Sequence, residues 1–211
     1  MNVSKAWLTR CLAPGLLVLV LPFAAAPVRA DAAADRESIR ALMICYVHGN
    51  DAMGDAITNA DPLAKGLSFY HQCLADDVVV QGWFPGVPFS SQTFPDPGKF
   101  PGSAPPAFHG PEAWAEHVNS VFRSKGFKFT QHALSNVDVT VNGASGALTA
   151  YLTATLVVPG PGVGKPSQCV TVANGTFSAE TAKRNNVWKI TRLNVTLITF
   201  NPVFQSGAGC L

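Results

Sequence analysis

The sequence predicts a single α+β domain, and three observations carry that prediction. In the first half of the chain apolar residues recur at helical spacing, as at Ile39, Leu42, Met43 and Tyr46. From Phe127 onward the period changes to two and stays there through four long runs. Turn residues rather than helices join those runs, which makes the sheet antiparallel.

The chain has 211 residues, and its start reads as a signal peptide. Lys5 and Arg10 supply positive charge ahead of an apolar stretch from Leu12 to Ala26. Val28 and Ala30 stand where a signal peptidase requires small or compact side chains. The stretch falls short of the ~20 residues that a membrane-spanning helix needs, and Pro14 and Pro22 interrupt it. Residues 1–30 are therefore expected to be removed and residues 31–211 to form one exported domain, periplasmic or secreted, with no membrane span after cleavage. The alternative is a retained N-terminal anchor. Losing Lys5, Arg10 and Arg29 leaves 12 Lys and Arg against 13 Asp and Glu. No basic field remains to pair with phosphates, so no nucleic-acid partner is expected. Charged residues at 13% and hydrophobic residues at 47% exclude wholesale disorder.

Within the mature region, Asp35 to Asp51 reads as a helix, with Asp35 as a plausible N-cap. A second stripe of Ile44, Val47 and Asp51 makes it apolar on two faces, as for a helix between layers, with the Asp51 carboxylate aimed inward. Gly54 to Lys65 reads as a connection, and Gly66 to Leu74 as a shorter helix. Asp76 and Asp77 read as capping a helix-to-strand turn, and Val78 to Val80 opens a strand. Gly82 to His109 holds seven prolines with Trp83, Phe84, Phe89, Phe94, Phe100 and Phe108 among them. It is either a lid that places Trp83 and Phe84 on substrate or a packed surface insertion. Pro111 starts a helix over Glu112 to Phe122. The strands then run from Phe127 to Val141, Ala147 to Val158, Cys169 to Thr181 and Val187 to Phe200. Asn142-Gly143 turns the first pair, and Lys183 to Asn186 turns the last.

Four cysteines remain in the mature chain: Cys45, Cys73, Cys169 and Cys210. In an oxidising compartment they allow two structural disulfides, with connectivity open. His48, His71, His109 and His117 have no metal-binding cadence and read as mostly solvated or helix-surface residues. No metal or cofactor is assigned.

The succession of helix, short helix, Leu74-Ala-Asp-Asp-Val-Val-Val80, loop and His109-Gly-Pro-Glu-Ala113, followed by four long strands, resembles the SnoaL-like family of the nuclear transport factor two-like superfamily. Tyr46, Asp51, the run from Gln131 to Gly143 and the terminal Val187 to Val195 also carry the resemblance. It spans roughly Asp35 to Phe200. It implies a cone-shaped α+β fold, a strongly curved antiparallel sheet wrapped around N-terminal helices and enclosing a pocket for a small apolar molecule. It also implies self-association through the exposed sheet face. Fold alone assigns no reaction in this superfamily. A ketosteroid-isomerase-like aspartate base would fall near Gly82, so that mechanism is disfavoured.

The dehydratases and dehydrochlorinases of the superfamily pair an aspartate at the end of the first helix with a histidine on the first long strand. Asp51 and His132 stand at the matching positions. The resemblance implies cofactor-free elimination, with His132 taking a proton from carbon and Asp51 fixing its tautomer. Tyr46 would donate to a developing oxyanion or the leaving group, and Asn136 would orient substrate. A polyketide-cyclase-like or isomerase-like enzyme and a non-catalytic binding or assembly module are the alternatives, and Asp51 and His132 could equally be a structural pair. Strand parity poses one question. His132 alternates with Ala133, Ser135, Val137, Val139 and Val141, so it faces away from the more apolar set unless a bulge near Leu134 to Asn136 reorients the strand.

Overall fold

The computed structural model describes residues 27–83, 107–159 and 168–204. The signal-peptide expectation over residues 1–26, most of the Pro- and Phe-rich segment including Phe84, and Cys210 lie outside the described residues. So does the side chain of Trp83.

The first helix, α1 (Pro27–Gly54), begins well before Asp35. Asp35 is therefore no N-cap. Its Oδ1 accepts hydrogen bonds from Lys183 Nζ and Trp188 Nε1, each at 2.8 Å, and fastens α1 to the far hairpin of the sheet. Ile39, Met43, Tyr46, Val47, Asn50 and Met53 form the buried face. The expected second apolar stripe does not materialise, because Ile44 is 47% exposed. The neighbouring helix, α2 (Pro62–Cys73), covers a different flank of α1, where Gly49 and Gly66 let the two backbones approach. A Cβ on Gly66 would lie 2.7 Å from the Gly49 carbonyl oxygen. Helix α2 starts a turn earlier than Gly66. The Asp61 carboxylate accepts from Ala64 N at 3.0 Å, and Pro62 has no N–H to leave unpaired in the first turn.

Strand β1 (Leu74–Trp83) follows without a break. Asp76 and Asp77 lie inside it rather than in a turn, and Asp77 is held by both terminal nitrogens of Arg184 at 2.8 and 3.1 Å. That guanidinium lowers the Asp77 carboxyl below its ordinary range. After β2 (Phe108–His109) comes α3 (Gly110–Ser124), then β3 (Phe129–Asn142), β4 (Ser145–Pro159), β5 (Gln168–Arg184) and β6 (Val187–Phe204). The six strands form one sheet in the order β2-β1-β6-β5-β4-β3. The expected all-antiparallel sheet is corrected in one place, since β1 runs parallel to β6. Strand β1 leaves α2 and returns along the edge that the last strand presents, so the sheet is mixed and curved without closing.

The β5–β6 turn is a type I′ turn, with Asn185 and Asn186 at φ +50° and +65°. The parity question is answered on β3. Pairing with β4 shifts register between Ser135 and Asp138, and Asn136 takes φ +50° there. Before this bulge Thr130, His132 and Leu134 turn inward, and after it Val137, Val139 and Val141 do. On β4, Leu148, Ala150, Leu152, Ala154 and Leu156 are buried, whereas Thr149, Tyr151 and Thr153 are exposed. The core thus lies between the concave sheet face and the three helices.

Of the cysteines expected to pair, Cys45 and Cys73 are free thiols on the facing helices α1 and α2. No described helix is long and apolar enough to cross a membrane.

Candidate active site

Asp51 sits in the last turn of α1, beside the point where β3 crosses the helix end. Gly54 makes that crossing possible, since a Cβ there would lie 1.9 Å from Thr130 Oγ1. Arg123 of α3 donates from Nη2 to the Met53 carbonyl at 2.6 Å and satisfies one of the orphan acceptors at the helix terminus. The helix end is therefore held from two sides.

In this setting Asp51 takes hold of His132 through both carboxylate oxygens. Oδ1 lies 2.6 Å from His132 Nδ1, and Oδ2 accepts from the His132 backbone N–H at 3.2 Å. Thr130 Oγ1 adds a weaker donor to Oδ1 at 3.3 Å. The His132 side chain is 8% exposed and that of Asp51 26%. A carboxylate acceptor at Nδ1 selects, for the neutral ring, the tautomer with its proton on Nδ1 and its lone pair on Nε2. His132 lines an apolar cavity of about 90 Å³ between the helices and the sheet, so Nε2 is the nitrogen left for a bound molecule.

Tyr46 enters the same cavity one and a half turns upstream of Asp51. It is 1% exposed, and its hydroxyl oxygen accepts from Trp114 Nε1 at 3.1 Å. Its ring stacks on Tyr70 at 5.3 Å and meets the edge of Phe177 at 5.5 Å. The Tyr70 hydroxyl donates to Asn50 Oδ1. Burial pushes the Tyr46 phenol up to about 12, outweighing the hydrogen bonds from Asn50, Trp114 and Tyr70 that pull it down. Burial likewise raises Tyr70 well above its ordinary value. Both phenols therefore stay protonated at neutral pH, and Tyr46 remains a hydrogen-bond donor.

His132, Asp51 and Tyr46 are thus brought together. Asn136 is not among them. It sits exposed at the bulge, facing a surface hollow with Thr149 and Tyr151, and its residue type suits the positive φ found there. Trp83 closes β1, but its side chain and Phe84 lie outside the described residues.

The sequence reading missed three polar or aromatic members of the cavity wall: Asn50, Trp114 as a donor, and His117. His117 is half-buried between Phe108 and Trp114, with ring centroids at 4.3 and 5.3 Å, and burial pushes its pKa below the ordinary histidine value. Its position four residues before Val121 on the apolar side of α3 was the available signal. Phe122, Phe127, Leu152 and Phe177 complete an almost wholly apolar lining.

The match to a SnoaL-like domain covers residues 72–194, more than half of the chain. No curated protein matches the sequence. Among solved structures, a type-3 hexachlorocyclohexane dehydrochlorinase from Novosphingobium barchaimii is 17% identical, with 83% of this chain and 94% of that chain covered and a TM-score of 0.56. A scytalone dehydratase candidate from Novosphingobium aromaticivorans is 13% identical, with 85% and 95% covered and a TM-score of 0.54. The Kfla4162 protein from Kribbella flavida is 16% identical, with 81% and 95% covered and a TM-score of 0.51. At these identities the likeness is one of fold, and it agrees with the helices and curved sheet described above. The chain belongs to the SnoaL-like family of the nuclear transport factor two-like superfamily.

Proposed function

We propose that the protein is a cofactor-free lyase that eliminates a small leaving group from a compact, largely apolar cyclic molecule. The observation that carries this reading is the 2.6 Å contact between Asp51 Oδ1 and His132 Nδ1 at the wall of an apolar cavity. His132 Nε2 removes a proton from carbon, Asp51 stabilises the imidazolium that forms, and the leaving group departs from the adjacent carbon with the electron pair. The apolar wall strengthens the attraction between carboxylate and imidazolium, because little solvent screens it. Tyr46, protonated and already oriented by Trp114, supplies a donor to an oxygen or a leaving group in the cavity. A cavity of about 90 Å³ has room for about three waters at their share of liquid volume, so the substrate class is a compact one. Dehydration and loss of hydrogen halide fit the same machinery, and the dehydrochlorination for which the enzyme of like fold is named supports the class.

A panel of small cyclic alcohols and halides with an acidic C–H next to the leaving group tests this reading. The product of the wild-type protein should have lost water or hydrogen halide. His132→Ala should lower turnover by about 10²–10⁴-fold, the usual worth of a positioned base. Turnover with conserved mass would instead favour an isomerase or cyclase. Ligand binding without turnover, unaffected by Asp51→Asn, would favour a binding module.

Export belongs to the same proposal, supported by the charged start, the short apolar stretch and Ala30. Protein recovered from outside the cytoplasm should begin at Asp31, and an intact Met1 terminus there would contradict it.

A further inference from the structure

The strongest feature outside the cavity is a pair of thiols between the first two helices. Cys45 Sγ and Cys73 Sγ both donate to one acceptor, the Phe69 carbonyl oxygen, each at 3.1 Å. The two thiols also stand within hydrogen-bonding reach of each other, side chain to side chain, so they are neighbours across the α1–α2 contact. The helices that carry them are already at backbone contact through Gly49 and Gly66. Neither thiol has a part in the elimination chemistry, and neither lines the cavity.

We propose that Cys45 and Cys73 form a redox-active dithiol that closes, by exchange with a small glutathione-type disulfide, into a bond joining α1 to α2. The two sulfurs divide the work. Cys45 is half-buried and reachable, whereas Cys73 has no exposed surface. The hydrogen bond from Cys73 and the nearby Lys189 ammonium favour the Cys45 thiolate, against the effect of burial. Burial, first of all, holds Cys73 as a thiol. Lys189 is itself fixed at the end of α2, where Nζ donates to the His71 and Gln72 carbonyls at 2.7 and 2.8 Å.

The exchange runs in two steps. The Cys45 thiolate attacks one sulfur of the small disulfide, forms a mixed disulfide and releases one small thiolate, which takes up a proton. The Cys73 sulfur then attacks Cys45 Sγ, and its proton passes to the departing small thiolate. The second small thiol leaves, so two protein thiols are oxidised and one small disulfide is reduced. The bond clamps α1 less than two turns before Asp51 and next to Tyr46, so the oxidation state sets the freedom of the helix that carries the site.

The test treats the folded full-length protein with oxidised glutathione, quenches with iodoacetamide and maps peptides by mass. The expected product links the Cys45 and Cys73 peptides with no retained glutathione, and dithiothreitol reverses it. Cys73→Ser should trap one glutathione on Cys45, and in Cys45→Ser the Cys73 thiol should stay unreacted until the protein is unfolded. The closed form should melt at or above the temperature of the reduced form. A lasting glutathione adduct on wild-type Cys45, pairing of either residue with Cys169 or Cys210, or a fall in melting temperature on closure would each overturn the proposal. None of these readouts uses turnover, so the result is independent of the lyase reading.

Discussion

Asp51 holds His132 by side chain and backbone at once, so the carboxylate sets both the ring's tautomer and its position on β3. Asp51→Asn keeps the shape but can offer an N–H where an acceptor is needed, and turnover should fall by about 10²-fold or more. Tyr46→Phe removes the oxygen that accepts from Trp114 Nε1. The buried indole N–H is then unsatisfied, at a cost of about 1–3 kcal/mol in urea unfolding. Turnover should fall as well, while a change in turnover without a change in stability would place Tyr46 outside the buried network. His117 adds a pH effect whose sign is fixed by burial. Its folded pKa lies below the unfolded value, so the neutral ring contributes stability above the unfolded pKa of about 6.5, and that contribution is lost as pH falls through the folded pKa. His117→Gln should flatten the acid side of a melting-temperature profile; an unchanged profile would contradict this. At this scale the pairing of Asp51 with His132 was legible only through the resemblance to the dehydratases and dehydrochlorinases, since strand parity pointed His132 the other way. Asn50 and His117 were not, because a polar residue on an apolar helix face looks the same whether it meets a cavity or solvent.

The bulge on β3 decides which face His132 occupies. Sequence parity alone left His132 opposite Val137, Val139 and Val141, and the positive φ of Asn136 is the device that reconciles the two halves of the strand. Asn136→Ala puts a Cβ-bearing residue with no local hydrogen-bonding side chain into the left-handed region, costing roughly 1 kcal/mol. Asn136→Gly should match or exceed wild-type stability in the same denaturant titration. Equal destabilisation by both would assign Asn136 a side-chain role instead. Helix identity was legible from the 3.6-residue period, but the start of α2 was not, since its cue is the single Asp61-Pro62 pair. The parallel pairing of β1 with β6 was also hidden. Strand direction depends on where the chain returns, and the alternation of apolar residues carries no direction.

Across the whole molecule, Asp35 ties the first helix to the last hairpin through Lys183 and Trp188. The Lys183 hydrogen bond, followed by that of Trp188, lowers the Asp35 carboxyl below its ordinary value. Asp35→Ala should lower stability, chiefly through the unpaired indole N–H of Trp188, and hydrogen exchange should quicken at the start of α1 and across the β5–β6 turn. Unchanged exchange there would show that the sheet holds α1 without this link. The fold class was legible because the change of period at Phe127 separates helices from sheet. The tie itself was not, because it joins residues 153 positions apart.

The elimination chemistry requires Asp51 to hold His132 with its proton on Nδ1 and its lone pair on Nε2 toward the cavity. Nitrogen-15 NMR of the histidine rings at neutral pH, in wild type and Asp51→Asn, tests it without any substrate. The wild-type protein should show a protonated Nδ1 with a strongly deshielded proton and an unprotonated Nε2, and Asp51→Asn should lose that preference. A wild-type His132 protonated at Nε2, or one whose tautomer is the same in both proteins, would contradict the account.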